Sequence, residues 1–145
     1  MRVEAEHRFP VSVRDGFEYI TDQANWPEYW PNLVRIEPGS RWDEPGDVTR
    51  MALRVLRREV EMTMTLGRFD APHVVEYTST QAGLPDLRHE RHFADAGGEL
   101  HYRAAVEFEP RGLYDRFIVR RAIARALHAT LAKLDAVFRG GNLNP

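Results

Sequence analysis

Between Asp47 and Glu109 apolar and polar residues alternate, and turn-forming residues interrupt the alternation at nearly even intervals. The interruptions are Arg57-Arg58, Asp70-Ala71-Pro72, Gly83-Leu84-Pro85-Asp86 and Ala96-Gly97-Gly98. Period-two patterning with such short connections points to one antiparallel sheet of sequential, neighbouring strands. The period then changes. From about Tyr114 to Arg139, the residues Phe117, Ala124, Leu127, Leu131, Leu134 and Phe138 form an apolar stripe at helical spacing. No glycine or proline breaks that stretch before Gly140 and Gly141, which supply the stop.

The residues ahead of the meander add smaller elements. Arg2 to Phe9 alternates, with Val3, Ala5, His7 and Phe9 on one face and charges on the other, so it reads as a half-buried strand. Ser12 is placed to cap a helix carrying Val13, Phe17 and Ile20, with Asp15 in its first turn. A second short helix fits Asn25-Trp26-Pro27-Glu28, with Asn25 as cap, Pro27 in the tolerated first turn and Glu28 closing a capping box. Leu33 to Ile36 is a short apolar stretch, and Glu44-Pro45-Gly46-Asp47 has the chemistry of a type II turn. The expected fold is α+β: a curved antiparallel sheet of six to seven strands wrapped around a long C-terminal helix, with two short helices after the first strand.

Composition narrows the function by exclusion. The chain has 145 residues, expected to form one domain over 1–139 followed by a flexible tail, 140–145. Twenty Lys and Arg oppose 22 Asp and Glu, so no basic excess marks a nucleic-acid surface. There is no cysteine, which excludes disulfides, thiolate metal sites and cysteine nucleophiles. No apolar run reaches the ~20 residues of a membrane span, and the N-terminus lacks a signal-peptide pattern, so a cytoplasmic protein without membrane insertion is expected. The histidines form no metal motif. His89 and His92 fall on opposite faces of one strand, and the expected outward pair His92–His101 is too few ligands. No phosphate loop, dinucleotide fingerprint or nucleophile elbow is present. No metal and no cofactor are expected.

Pairing the strands about their turns gives the inner face. Phe93 is set opposite Leu100, Arg91 opposite Tyr102 and His89 opposite Ala104, with Glu90 and Arg103 paired outside. Val55 is set opposite Val60, Leu53 opposite Met62 and Met51 opposite Met64, with Arg54 meeting Glu61 outside. Leu66 faces Val75, Met64 faces Tyr77 and Met62 faces Ser79. The rest of the inner face is Gln81, Leu87, Val106 and Phe108. Ser79, Gln81, His89 and Arg91 stand out on it. An inward arginine must be paired or reach water, so Arg91 either extends to an edge or borders a cavity. The middle of the helix, Ala122 to Ala132, carries five alanines, Ala122, Ala124, Ala126, Ala129 and Ala132. They either leave space above the sheet or serve only as good helix formers.

The order of elements resembles the START-like, or SRPBCC, superfamily with its helix-grip fold, and within it the polyketide cyclase/dehydrase and lipid-transport branch. The segment Asp22-Gln23-Ala24-Asn25-Trp26-Pro27-Glu28-Tyr29-Trp30-Pro31 resembles that branch's Asp…Trp-Pro-x-Trp segment. Pro45-Gly46-Asp47 and the terminal amphipathic helix fit as well. The glycine-rich loop of the pollen-allergen branch is replaced here by Gly39 to Gly46. The resemblance implies an apolar cavity between sheet and helix that takes a lipid, a sterol, a polyketide or another hydrophobic molecule. It also implies a wall of arginine, tyrosine and tryptophan, for which Arg91, Tyr77, Tyr102, Trp26 and Trp30 have the right chemistry.

Candidate ligand contacts are therefore Trp26, Trp30, Met51, Met62, Met64, Tyr77, Ser79, Gln81, His89, Arg91, Tyr102, Leu127 and Leu131. Plain alternatives stand beside them. The tryptophans also serve as core anchors, the methionines as ordinary packing, and the polar cluster as a sheet end. Three functions remain open. The first is a carrier of a small hydrophobic or amphipathic ligand, acting as a monomer or homodimer. The second is a polyketide cyclase, aromatase or dehydratase in which Arg91 and Tyr77 stabilise an enolate and His89 moves protons. The third is a protein-interaction module with a filled interior and an exposed apolar patch near Trp42 and Leu84-Pro85.

Overall fold

The computed structural model describes residues 1–140. Strand β1 (Arg2–Phe9) leads into α1 (Val13–Thr21) and, after a 3-10 turn, α2 (Trp26–Tyr29). Strands β2 (Leu33–Ile36), β3 (Val48–Val55), β4 (Arg58–Asp70), β5 (Val74–Gln81), β6 (Leu87–Ala96) and β7 (Glu99–Glu107) follow. A π-helical turn (Asp115–Val119) then runs into α3 (Arg120–Arg139). The seven strands form one antiparallel sheet in the order β1-β7-β6-β5-β4-β3-β2. The first strand closes back onto the last, and β2 is the far edge.

The first helix starts as its sequence dictates. The Ser12 hydroxyl accepts from the Asp15 amide at 3.1 Å, satisfying one of the orphan N–H groups of the first turn. The helix lies so close to β7 that a Cβ built on Gly16 would stand 2.5 Å from Leu100 Cδ2. The second helix is held differently from expectation. Asn25 makes no cap; its amide donates to the Tyr19 carbonyl, and Glu28 accepts from the Tyr19 hydroxyl instead of closing a capping box. Tertiary contacts to α1 replace local capping. The Glu44–Asp47 turn forms as expected, with the Asp47 amide donating to the Glu44 carbonyl and Gly46 at φ +96°.

Each expected hairpin register is displaced by two residues. Phe93 pairs with Tyr102, Arg91 with Ala104 and His89 with Val106. Leu53 pairs with Val60 and Met51 with Met62. Leu66 pairs with Tyr77, Met64 with Ser79 and Met62 with Gln81, with a bulge after Leu66. The turns are the cause. Two-residue turns sit at Leu56-Arg57 and Gly97-Gly98, all four residues at positive φ, which matches the twist of a tight hairpin. A slip of two keeps every side chain on its own face. All the inward residues named above are buried except Val55 and Arg91, which are partly buried. The outward pairs do change: Arg54 meets Glu59, Glu90 meets Ala105, and His101 meets Ala94 rather than His92.

Helical structure begins near Tyr114, but Phe117 does not join the buried stripe. It is 66% exposed, and Val119 is buried in its place. The π-turn explains this. It holds one residue more than an α-turn, so positions before it fall out of phase with those after it. Gly140 closes α3 in right-handed conformation, its amide bonded to Ala136, so no left-handed glycine cap is used there. Gly141 and the rest of the expected tail lie outside the described residues.

Candidate ligand cavity

The two halves of α3 meet the sheet differently. In the C-terminal half, Leu131, Leu134, Val137 and Phe138 are buried, with Phe138 edge-on to Phe9 and Tyr19. In the N-terminal half, Ala122, Ile123, Ala126 and Leu127 face a cavity of about 180 Å³. The alanines leave that space because a methyl group cannot span the gap to a sheet that curves away. Leu53, Met62, Tyr77, Leu87 and Phe93 form its floor. Trp26, Tyr29, Trp30 and Trp42 close one side. Of the wall residues Leu56 is exposed and Trp30, Pro31 and Leu84 are partly so, which marks the open side.

The aromatic side is itself tied down. Trp26 and Trp30 stack at 5.2 Å, and Trp42 meets Trp26 edge-on at 5.8 Å and Tyr77 at 5.4 Å. The Trp26 indole and the Tyr29 hydroxyl both donate to the Ile20 carbonyl at the end of α1. Trp42 is only 7% exposed. The expected surface patch around it is therefore absent: the large ring leaves its irregular loop and turns inward. Exposed apolar side chains cluster instead at Leu113, Tyr114, Phe117 and Ile118, ahead of α3.

Trp26, Trp30, Met62, Tyr77, Gln81, His89, Arg91, Tyr102 and Leu127 stand in the cavity wall. Met51, Met64, Ser79 and Leu131 do not; they are buried behind or beside it. Inward parity identifies a core face, but the core face is longer than the cavity. Sequence reasoning missed Trp42, Tyr29 and Val119 as wall residues. The alanine spacing on α3 was the one available signal for the helical side.

The polar residues of the wall form two linked groups. On β6, Arg91 donates to the Tyr77 hydroxyl at 3.0 Å and to the Glu90 and Ala105 carbonyls at 3.0 and 3.4 Å. Its guanidinium carbon lies 5.5 Å from the Tyr77 ring centre. No carboxylate pairs with it among the described residues. The cavity therefore carries a positive charge without a counter-charge. Burial raises the pKa of Tyr77, opposed by Arg91, and raises that of Tyr102 to about 12, so both remain neutral phenols.

The second group runs from the β5–β6 connection into the wall. Gln81 Nε2 donates to the Pro85 carbonyl at 2.6 Å. Gln81 Oε1 meets Ser79 Oγ at 3.1 Å, and Ser79 Oγ meets His89 Nε2 at 2.9 Å. The His89 ring lies on Tyr77, centres 4.3 Å apart and 8° from parallel. Burial first, and the Arg91 charge second, push the His89 pKa well below its ordinary value, so the imidazole is neutral at pH 7. Groups of three or more potential metal ligands are absent among the described residues. Among the described residues no helix is long and apolar enough to cross a membrane.

An open, curved antiparallel sheet gripping a long C-terminal helix over a cavity defines the helix-grip class. The chain belongs to the family of polyketide cyclases/dehydrases and lipid-transport proteins, whose model matches residues 1–139. Among solved structures it is similar to TTHA0849 from Thermus thermophilus, with a TM-score of 0.80 and 14% identity over 97% of this chain and 99% of that one. It is similar to CV1439 from Chromobacterium violaceum, with a TM-score of 0.76 and 12% identity over 95% and 97%. It is also similar to CalU16 from Micromonospora echinospora, with a TM-score of 0.69 and 14% identity over 92% and 73%. No curated protein matches the chain at a significant level.

Proposed function

We propose that the protein binds a compact amphipathic molecule in the cavity beneath the N-terminal half of α3. The observation that carries this reading is an apolar, aromatic-walled space holding one unpaired cation, Arg91. Pockets that bind small molecules have this make-up: mostly apolar walls with a few placed polar groups that fix orientation. Size sets the ligand class. A cavity of roughly 150 Å³ accommodates benzene, so about 180 Å³ suits one or two fused rings better than a sterol or a long acyl chain. The Arg91 guanidinium fits a carboxylate, enolate or carbonyl oxygen on such a ring.

The chain's three tryptophans, Trp26, Trp30 and Trp42, all stand in the wall, so intrinsic fluorescence reports occupancy directly. Titration with 2-naphthoate is expected to give a saturable fluorescence change, weakened at least tenfold by Arg91→Leu. A linear, unsaturable response across a panel of aromatic acids would overturn the reading.

A cyclase or dehydratase activity is the second reading, favoured by the 3.0 Å contact between Arg91 and the Tyr77 hydroxyl. Two donors on one substrate oxygen would stabilise an enolate. His89, held neutral, is not a general acid in that scheme. Turnover of a polyketide-like substrate that persists unchanged in Arg91→Ala would end it.

A further inference from the structure

The turn that leads into α3 presents its apolar side chains to solvent. Leu113 is 72% exposed and Phe117 66%, and Tyr114 and Ile118 are exposed beside them. Spacings of four and five residues put these four on one face of the helical turn, while Asp115 and Val119 are buried on the other. None of the four stands in the cavity wall, so the ligand site does not account for them. Large apolar side chains grouped together in water mark a contact surface.

Charge indicates what that surface meets. Arg116, Arg120, Arg121 and Arg125 are exposed beside and beyond the apolar face, and none of them pairs with a carboxylate among the described residues. The one acidic side chain of the turn, Asp115, is buried and held by Arg111 at 2.8 Å. The next along the chain, Asp135, lies near the far end of α3 and is tied to His7 and Arg139. Glu109, ahead of the turn, is exposed and pairs with none of the four. These arginines do not serve the helix. Positive charge at a helix N-terminus opposes the macrodipole, and Arg121 and Arg125 repel each other at i, i+4. No acidic residue stands in the first turn of α3 to offset them. A second copy of the chain is a poor complement, because a two-fold axis through this surface would set arginine against arginine.

We propose that this surface docks on an anionic lipid membrane. Leu113, Phe117 and their neighbours reach the boundary between headgroups and acyl chains, and the arginines meet the lipid phosphates and carboxylates. Large apolar side chains flanked by arginine are the make-up of a helix that lies in a membrane interface, and an anionic leaflet attracts basic segments of this kind. An acidic protein face would answer the arginines alone, whereas a bilayer answers both the charge and the apolar tips. The mode is peripheral, since no helix among the described residues is long and apolar enough to cross. The chain's formal net charge of −2 gives it no general attraction to anions, so binding of this kind is local to the patch. Docking does not depend on what the cavity holds.

Co-sedimentation of the full chain with lipid vesicles is the test. The protein is expected to bind phosphatidylcholine vesicles containing about one-third phosphatidylserine, and to bind pure phosphatidylcholine about tenfold less tightly. Binding to the anionic vesicles should fall as salt rises. Leu113→Ser combined with Phe117→Ser is expected to weaken it about tenfold by removing the apolar contact. Arg116→Gln combined with Arg120→Gln should have an effect of about the same size by removing two charges. All four positions are exposed, so unfolding midpoints are expected to stay at the wild-type value. Arg103→Gln, at an exposed arginine of β7, is the control and should leave binding unchanged. Failure to bind the anionic vesicles overturns the inference. So does binding that the serine pair leaves intact, the mark of charge attraction alone and of an acidic protein as the partner. A dimer in solution that the serine pair breaks apart would make a second copy the occupant and overturn it too, as would an equal loss in Arg103→Gln.

Discussion

The two halves of α3 cover the same sheet with opposite results. The C-terminal half puts Leu131, Leu134, Val137 and Phe138 into a dry core against Phe9 and Tyr19. The N-terminal half puts Ala122 and Ala126 over open space with a charged arginine on its far side. Side-chain size along one continuous helix thus separates a packed core from a cavity. The dry half gains dispersion and hydrophobic burial along its length. The other half forgoes contacts of that kind, and it leaves the Arg91 charge without a carboxylate and the His89 Nδ1 without a donor among the described residues.

The sharpest way to break this contrast is Leu134→Ala. Leu134 is fully buried, and the substitution is expected to cost about 3–4 kcal/mol, the range for a leucine lost from a rigid core. Thermal unfolding measures it. Probe binding by the folded variant at low temperature should remain within about twofold of wild type. A parallel loss of binding would show that the halves are not independent.

Next in size is a pH effect seated in the cavity half. His89 is held neutral in the folded protein, with a pKa below the ordinary ~6.5 of the unfolded chain. Its contribution to stability is therefore complete above about pH 6.5. As the pH falls below that value the unfolded state takes up a proton that the folded state refuses. Stability then declines by up to about 1.4 kcal/mol per pH unit until the folded pKa is reached. The depressed carboxylates Glu90, Asp115 and Asp135, held by Arg2, Arg111 and His7 with Arg139 respectively, and Asp47, held by the Asp43 and Glu44 amides, act only at lower pH. Urea unfolding between pH 7 and 5 should show the slope in wild type and a flatter one in His89→Gln.

Ala126→Leu sharpens the comparison from the other side. It fills the space without disturbing helix propensity, so stability should change by less than about 1 kcal/mol while 2-naphthoate binding weakens at least tenfold. An unchanged affinity would mean that the ligand lies elsewhere. The smallest effect is Ser12→Ala, which removes the α1 cap at a cost of about 1 kcal/mol, visible in urea unfolding and silent in binding.

Much of the sheet was legible because period-two patterning depends on parity alone. The β3–β4 register was not, because Leu56-Arg57 adopts a left-handed turn without the Asn-Gly chemistry that usually announces one. The inward polar cluster Ser79, Gln81, His89 and Arg91 was legible for the same reason as the sheet. Its connectivity was not, since it depends on a carbonyl in the following loop. Trp42 lies in an irregular segment where no period exists to assign a face, and Phe117 was misplaced because nothing in its neighbours signals the π-turn. Met51 and Met64 face inward but touch packed atoms and not open space, a distinction that parity does not carry.

Pro85 sets the direction of the hydrogen bonds behind the cavity wall. A proline offers only a carbonyl, with no N–H, so the Gln81 amide can address it in one orientation. That orientation passes through Ser79 to the imidazole and sets which of its nitrogens is bare. The loop thereby writes a single bit, acceptor or donor, onto the imidazole from three hydrogen bonds away. Redrawing that connection so that an amide N–H met Gln81 would reverse the bit.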